Sequence, residues 1–331
     1  MSDQTSVRRP TGGFTLRRAA QAAAGRVPLS WLLRLREAYL GDARSSFPRR
    51  WQQALLRVVR LRGIPQDEPF RLSGHPRLRM VPTDSYIANH LFWLGIDGYE
   101  AGEPGWWASL VSSHRSALEI GANIGLYTLV GASAAPSTRY RAVEPNLASF
   151  EVLGRNVALN GLEHVELVHA AVVGDRSADI VTLRFPDRDR YTASAGAFVD
   201  GAVDLTTSAG RAVEVPAMSI GELIDGVDLV KLDIEGLETE VLGAVRPWIV
   251  ETAPTIVVEA RDEAPTVRAF IDQLLRDVPY DCYAVSGGRS VPVARRAIEE
   301  GRLESDHDTR DVTLITPERA AAALDSRGPA P

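Results

Sequence analysis

An α/β fold built on an open, mostly parallel sheet is predicted by three observations. From Arg77 onward, short apolar runs alternate with amphipathic stretches, the order expected when strands and crossover helices follow one another. One apolar run, Ala117-Leu118-Glu119-Ile120, enters a glycine turn, Gly121-Ala122-Asn123-Ile124-Gly125, and leaves as an apolar helical pattern. Two further runs end in acids, at Glu144 and Asp233, and open α/β sheets bind their ligands beyond strand carboxyl ends. The 331 residues, 45% hydrophobic and 24% charged, suffice for a large core and exclude a wholly disordered chain. No apolar run reaches the roughly 18 residues that would span a bilayer. The single cysteine excludes an internal disulfide framework and a cysteine-based zinc site.

Residues 1–76 predict an arginine-rich helical extension. Met1 to Gly13 is polar; Leu16 to Leu40 has helical composition with breaks near Gly25 and Pro28, and Trp31, Leu32, Leu35 and Tyr39 recur at helical spacing. Arg49 to Leu61 sets Trp51, Leu55, Val58 and Val59 along a second stripe, with Arg57, Arg60 and Arg62 off it. The formal charge of -6 conceals an asymmetry: residues 1–63 hold thirteen arginines and three acids, the remainder 24 basic and 40 acidic residues. The extension is read as a helical cap on an acidic body rather than as a nucleic-acid arm. The Arg17-Arg18 pair is not read as a twin-arginine signal, because Arg26 breaks the apolar region behind it. A cytoplasmic protein is the expectation.

Residues 77–316 form the main domain. Its predicted strands are 116–120, 140–143, 165–172, 229–232, 256–259, 282–285 and 312–315. Its predicted helices are 124–134, 147–159, 237–245 and 267–276, with Asn160-Gly161 as a left-handed stop after the second. Residues 174–220 are β-rich and loop-rich, which suggests an inserted hairpin region. The Ala/Pro-rich segment 317–331 is read as a partly flexible tail.

The glycine turn lets the backbone bend sharply and a ligand approach the main chain. A dinucleotide site would favour a glycine at Asn123 to admit a pyrophosphate. Glu119 would also repel one, and suits an amino group instead. Glu144, 19 residues beyond Gly125, is placed to accept hydrogen bonds from two ribose hydroxyls. Together they suit a nucleoside with an ammonium end and no phosphate, the shape of S-adenosylmethionine.

The second signal is Val227-Asp228-Leu229-Val230-Lys231-Leu232-Asp233-Ile234-Glu235-Gly236. Lys231, Asp233 and Glu235 fall at two-residue intervals and so share one side of an extended chain. Lys231 is the chain's one lysine, against 36 arginines. An ion pair tethering the strand end would explain the set, but an active-site cluster explains it better.

These motifs, with Val143-Glu144-Pro145-Asn146, the Asn156–Gly161 helix end and His169-Ala170-Ala171-Val172, resemble the FkbM family of S-adenosylmethionine-dependent methyltransferases over about residues 77–260. The resemblance implies a class I, Rossmann-like methyltransferase fold: seven strands with an antiparallel last one. It also implies O-methylation of a sugar, glycolipid or polyketide-type hydroxyl. The implied cofactor contacts are Glu100 (in Gly98-Tyr99-Glu100), Glu119, Gly121, Ala122, Asn123 and Gly125, then Glu144, Pro145, Asn146, Ala171 and Asp233. Two departures stand out. Glu119 replaces a common Asp, and Met218-Ser219-Ile220-Gly221 replaces a Thr-Leu-Asp-like segment. The extension lies outside the resemblance.

A hydroxyl nucleophile gains from a base as the bond forms. Asp233 and Glu235 are the candidates, with Lys231 beside them as the third catalytic group. Glu259 is a further carboxylate near the same rim. Acid spacing alone does not establish a Mg²⁺ site, so no metal ligand is assigned. Cys282 lacks the context of a pyrimidine-methylating nucleophile, and the histidines are scattered. A nucleic-acid methyltransferase using the basic extension, and a catalytically silent interaction protein, are the alternatives weighed.

Overall fold

The computed structural model describes residues 28–41, 56, 63–175, 179–186, 198–199, 209–234, 236–261, 264–303 and 309–325. The first described helix, α1 (Leu29–Leu40), buries Leu32, Leu35 and Tyr39. Trp31, expected on that stripe, is 46% exposed in the first turn of the helix. Arg36 turns inward: its Nε donates to the Phe92 carbonyl and its guanidinium lies 4.2 Å above the Phe92 ring. Except for the buried Leu56, the second predicted helical stretch lies outside the described residues.

A short hairpin of β1 (Phe70–Leu72) and β2 (His75–Met80) follows and crosses residue 76. Next come α2 (Tyr86–Leu94), capped by the Ser85 hydroxyl, and α3 (Glu103–Ser112). Then the alternation begins: β3 (Ser116–Ile120), α4 (Leu126–Ala134), β4 (Arg139–Val143), α5 (Leu147–Leu159) and β5 (Val165–Val168). Asn146 caps α5, its Oδ1 accepting from the Ala148 amide at 3.2 Å. Asn156 of α5 and Asn160, which caps its C-terminus, clamp β2 and the residue that follows it. The Asn156 Oδ1 accepts from the Val81 amide, its Nδ2 donates to the Ile124 carbonyl, and Asn160 bonds both backbone groups of Arg79. The helix end that marked the sequence motif therefore ties the glycine turn to the hairpin.

The predicted strand 165–172 divides. His169 leaves the ladder and bonds the Pro145 carbonyl at 3.0 Å, and β6 (Ala171–Val173) joins a second sheet. There the expected hairpin, β7 (Ile180–Pro186) against β9 (Ala209–Ser219), is enlarged to four strands by β6 and by β8 (Phe198–Val199). The chain returns through β10 (Leu229–Leu232), α6 (Glu238–Ala244), α7 (Arg246–Thr252) and β11 (Thr255–Glu259). It closes with α8 (Pro265–Asp277), β12 (Asp281–Ser286), β13 (Arg289–Pro292), α9 (Arg295–Glu299), β14 (Asp311–Ile315) and α10 (Pro317–Asp325). The segment read as a flexible tail thus contributes a helix that buries Ala320 and Ala323.

The main sheet has the order β13-β12-β14-β11-β10-β3-β4-β5. Strands β11, β10, β3, β4 and β5 are mutually parallel, and β14 runs antiparallel between β11 and β12. Seven strands form the expected class I arrangement and β13 adds an eighth at one edge. Residues alternate between two cores. Leu118, Ile120, Val230, Leu232, Ile256 and Val258 pack on the α6–α9 side, and Ala117, Leu229 and Val257 on the α1–α5 side. The register pairs Lys231 with Glu119 and with Val257, so both charged side chains fall on the α1–α5 side. Among the described residues no helix is long and apolar enough to cross a membrane.

Candidate active site

A cavity of about 920 Å³ opens beyond the carboxyl ends of the parallel strands, where the reversal of strand order leaves a crevice. Its floor is the turn after β3. Gly121 has φ +86°, and a Cβ there would sit 1.9 Å from the Asp233 carbonyl, so only glycine fits between the two strand ends. The Gly121 and Ala122 amides both donate to the Val143 carbonyl at 3.0 Å. Asn123, also at positive φ, caps itself by accepting from the Ile124 amide at 2.8 Å. Gly125 starts α4 at φ +91°, and a Cβ there would meet Leu153 at 2.6 Å.

Glu144 ends β4 at the cavity wall. Its two oxygens accept from the backbone amides of Asn123 and Asn146, each at 2.8 Å. Burial raises its pKa to about 7, against the lowering effect of those two amides. Each oxygen keeps a second lone pair for a ligand, so the fixed carboxylate suits a vicinal diol. Of the other expected contacts, Glu100, Gly121, Asn123, Pro145, Ala171 and Asp233 also line the cavity.

Glu119 is placed differently. It is 2% exposed and forms no part of the wall. Its Oε2 accepts from Thr128 Oγ1 at 2.7 Å and from the Tyr140 hydroxyl at 2.5 Å, and Tyr140 in turn accepts from Trp107 Nε1. Burial raises its pKa to about 7. Ala122, Gly125 and Asn146 likewise lie behind the wall and shape the turn and the helix cap.

Lys231 is 3% exposed and also lies behind the wall. Its Nζ is 3.3 Å from Asp233 Oδ2, 3.5 Å from Asp311 Oδ2 and 4.4 Å from the centre of the Tyr127 ring. Burial alone would lower its pKa, but Asp233, Asp311, Glu100 and Glu119 hold it well above the ordinary lysine value. Glu235 lies outside the described residues. Glu259 pairs with Arg261, Nε to Oε1 at 3.0 Å.

The sequence reading missed Glu103, Tyr127 and Asp311. The Tyr127 hydroxyl is 2.6 Å from Glu100 Oε2 and 3.1 Å from Glu103 Oε2, and Glu103 also accepts from Thr309. One hydroxyl proton cannot serve both acids fully. Solvent reaches Glu100 through the cavity mouth, yet surrounding protein raises its carboxyl to about 7; burial raises Glu103 to about 8. Asp311 could have been found: an antiparallel last strand brings its first residue to the edge where parallel strands end. Among the described residues no cluster of His, Cys, Asp and Glu is arranged to hold a metal ion.

A cationic nucleoside fits this donor set. Glu144 is held by two backbone amides, and Asp233 and Glu100 present carboxylates to the same space. Residues 119–282 match the family model described as methyltransferase FkbM domain. The chain is 28% identical over 190 residues to methyltransferase sdnD of Sordaria araneosa, spanning 50% of this chain and 73% of that protein. It also resembles the crystal structure of methyltransferase FkbM from Methylobacillus flagellatus (15% identity, TM-score 0.37), covering 61% of this chain but only 44% of that one. A methyltransferase of Podospora anserina matches over 94% of this chain and 98% of its own (12% identity, TM-score 0.34). Residues 119–282 thus resemble the methyltransferase FkbM domain, and the curated relative is likewise a methyltransferase.

Proposed function

We propose that this methyltransferase uses S-adenosylmethionine to methylate a hydroxyl oxygen of a small-molecule or glycan acceptor, of the sugar, glycolipid or polyketide type. The observation that carries the reading is Glu144, held by two backbone amides at the cavity wall with the glycine turn on one side and Asp233 across it. When bound there, the cofactor supplies an electrophilic methyl group. Glu144 takes the ribose diol, and Glu100 and Asp233 face the ammonium end. Glu119 acts from behind the wall by fixing Thr128 and Tyr140.

Asp233 is the proposed base. It lines the cavity, its side chain is 38% exposed, and its Oδ2 is tethered by Lys231. It would take the hydroxyl proton as the acceptor oxygen gains the methyl group and the methyl–sulfur bond breaks, leaving S-adenosylhomocysteine, with the acceptor aligned against the wall. Lys231 does not reach the cavity and is a positioning residue. The test is calorimetry with S-adenosylhomocysteine, followed by transfer of radiolabelled methyl to panels of glycans, glycolipids and polyketide intermediates. Saturable binding and a labelled ether product support the reading. No nucleoside binding would sink the cofactor assignment, and label found on nitrogen or carbon would sink O-methylation.

A further inference from the structure

We propose that the acceptor carries an oxyanion, a carboxylate or a phosphate, and that Arg261 and Arg310 read it. The inference rests on the cavity's being the cofactor and acceptor site. Its charged lining is divided. Glu100, Glu103, Glu144, Asp233, Glu259 and Asp311 make most of it acidic, and among the described lining residues Arg261 and Arg310 are the basic ones. Both stand on the same rim. Glu259 and Asp311 are paired across β11 and β14, so Arg261, two residues past Glu259, and Arg310, one before Asp311, emerge at the same sheet edge. Glu259 Oε1 lies 3.0 Å from Arg261 Nε and 4.0 Å from Arg310 Nη1, which gathers two guanidinium groups around one carboxylate oxygen.

This rim lies over β11 and β14, across β10 and β3 from Glu144 at the end of β4. A nucleoside held by Glu144 leaves the arginine rim to the other reactant. An anion elsewhere in the cavity would meet carboxylates with no arginine beside them, whereas at this rim two guanidinium groups offset Glu259 and Asp311 and present planar forks that match carboxylate and phosphate oxygens. The two arginine side chains are 38% and 56% exposed, so parts of both reach solvent at the rim. Leu183, Phe198 and Val199 of the second sheet supply an apolar wall for the rest of the molecule.

The test uses the full chain loaded with S-adenosylhomocysteine and three probes, benzoate, phenyl phosphate and neutral benzamide, followed by ligand-observed NMR. Probe concentrations up to about 10 mM detect millimolar dissociation constants. At least one anion should bind about tenfold more tightly than benzamide, and Arg261→Gln and Arg310→Gln should each remove most of that preference. The better anion identifies carboxylate or phosphate as the group read. Affinity for S-adenosylhomocysteine should be unchanged in both variants, which also shows that they fold. Equal binding of all three probes, no binding, or an unchanged preference in both variants would overturn the proposal. So would a loss of nucleoside affinity in the variants, which would assign the arginines to the cofactor's own carboxylate. Failure of the wild-type chain to bind S-adenosylhomocysteine would overturn the underlying cofactor reading, and this proposal with it.

Discussion

The Nζ of Lys231 lies 3.3 Å from Oδ2 of Asp233, two residues further along the same strand end. The same ammonium is 3.5 Å from Oδ2 of Asp311, which arrives from the antiparallel β14. One buried cation thus joins the carboxyl end of β10 to the start of β14. The sequence offered an ion pair and an active-site cluster as competing accounts of this segment. In the structure the ion pair is formed, and it holds Asp233 at the cavity wall.

Removing that cation should destabilise the fold and disturb the site together. Lys231→Met retains the stem but leaves Asp311 and Asp233 without their ammonium. Breaking a buried pair from one side costs about 3–5 kcal/mol, and solvent at Asp233 favours the lower figure. Lys231→Arg should not restore it, because the planar fork does not fit a space sized for an ammonium above Tyr127. Urea denaturation of the three proteins checks this. A loss below about 1 kcal/mol in Lys231→Met, or full recovery in Lys231→Arg, contradicts it.

Glu144→Gln should weaken S-adenosylhomocysteine binding while sparing the fold. A glutamine oxygen can still accept from one of the two amides, but it brings an NH₂ to face the other. Hydrogen bonds to a charged group contribute about 1.5–3 kcal/mol, so roughly ten- to hundredfold weaker binding is expected by calorimetry. Unaltered affinity would remove Glu144 from the cofactor site.

The central sheet was legible because its strands are short apolar runs whose ends carry glycine or acid. Strands β3 and β10 and helix α5 run over the very residues that periodicity predicted. The division at His169 was not legible, since leaving one ladder for another depends on the distant strand β9. Site residues at strand ends, Glu144 and Asp233, could be read because topology brings such ends together. Glu103 could not, because it reaches the cavity through the packing of α3, and Tyr127 lies behind the wall. Glu119 had the right position in its motif, yet the register with Lys231 and the packing of Tyr140 turned it into the core.

Gly121→Ala should fail by geometry rather than chemistry. The new Cβ would lie 1.9 Å from the Asp233 carbonyl, and the residue would be held at φ +86°. Left-handed strain alone costs about 1–3 kcal/mol, and the clash must push β3 and β10 apart at the cavity floor. Lowered melting temperature with impaired nucleoside binding is expected. A variant as stable as the parent would show that the turn can relax.

The buried glutamates should make the ligand-free protein less stable as pH rises. Burial raises Glu119 and Glu144 to about 7 and Glu103 to about 8, against an ordinary value of 4.5. Between the two values the folded chain binds more protons than the unfolded one, so the free energy of unfolding falls with increasing pH. The penalty is absent below about 4.5 and complete above about 8. Melting temperature measured by calorimetry should therefore decline from pH 5.5 to pH 8. Glu119→Gln should flatten part of that slope, because its amide oxygen can accept from Thr128 or Tyr140 without ionising. S-adenosylhomocysteine should also flatten it, since a bound ammonium compensates ionised carboxylates facing the cavity. A melting temperature that rises over this range, or a slope untouched in Glu119→Gln, would mean that these acids are already ionised in the folded chain at pH 5.5.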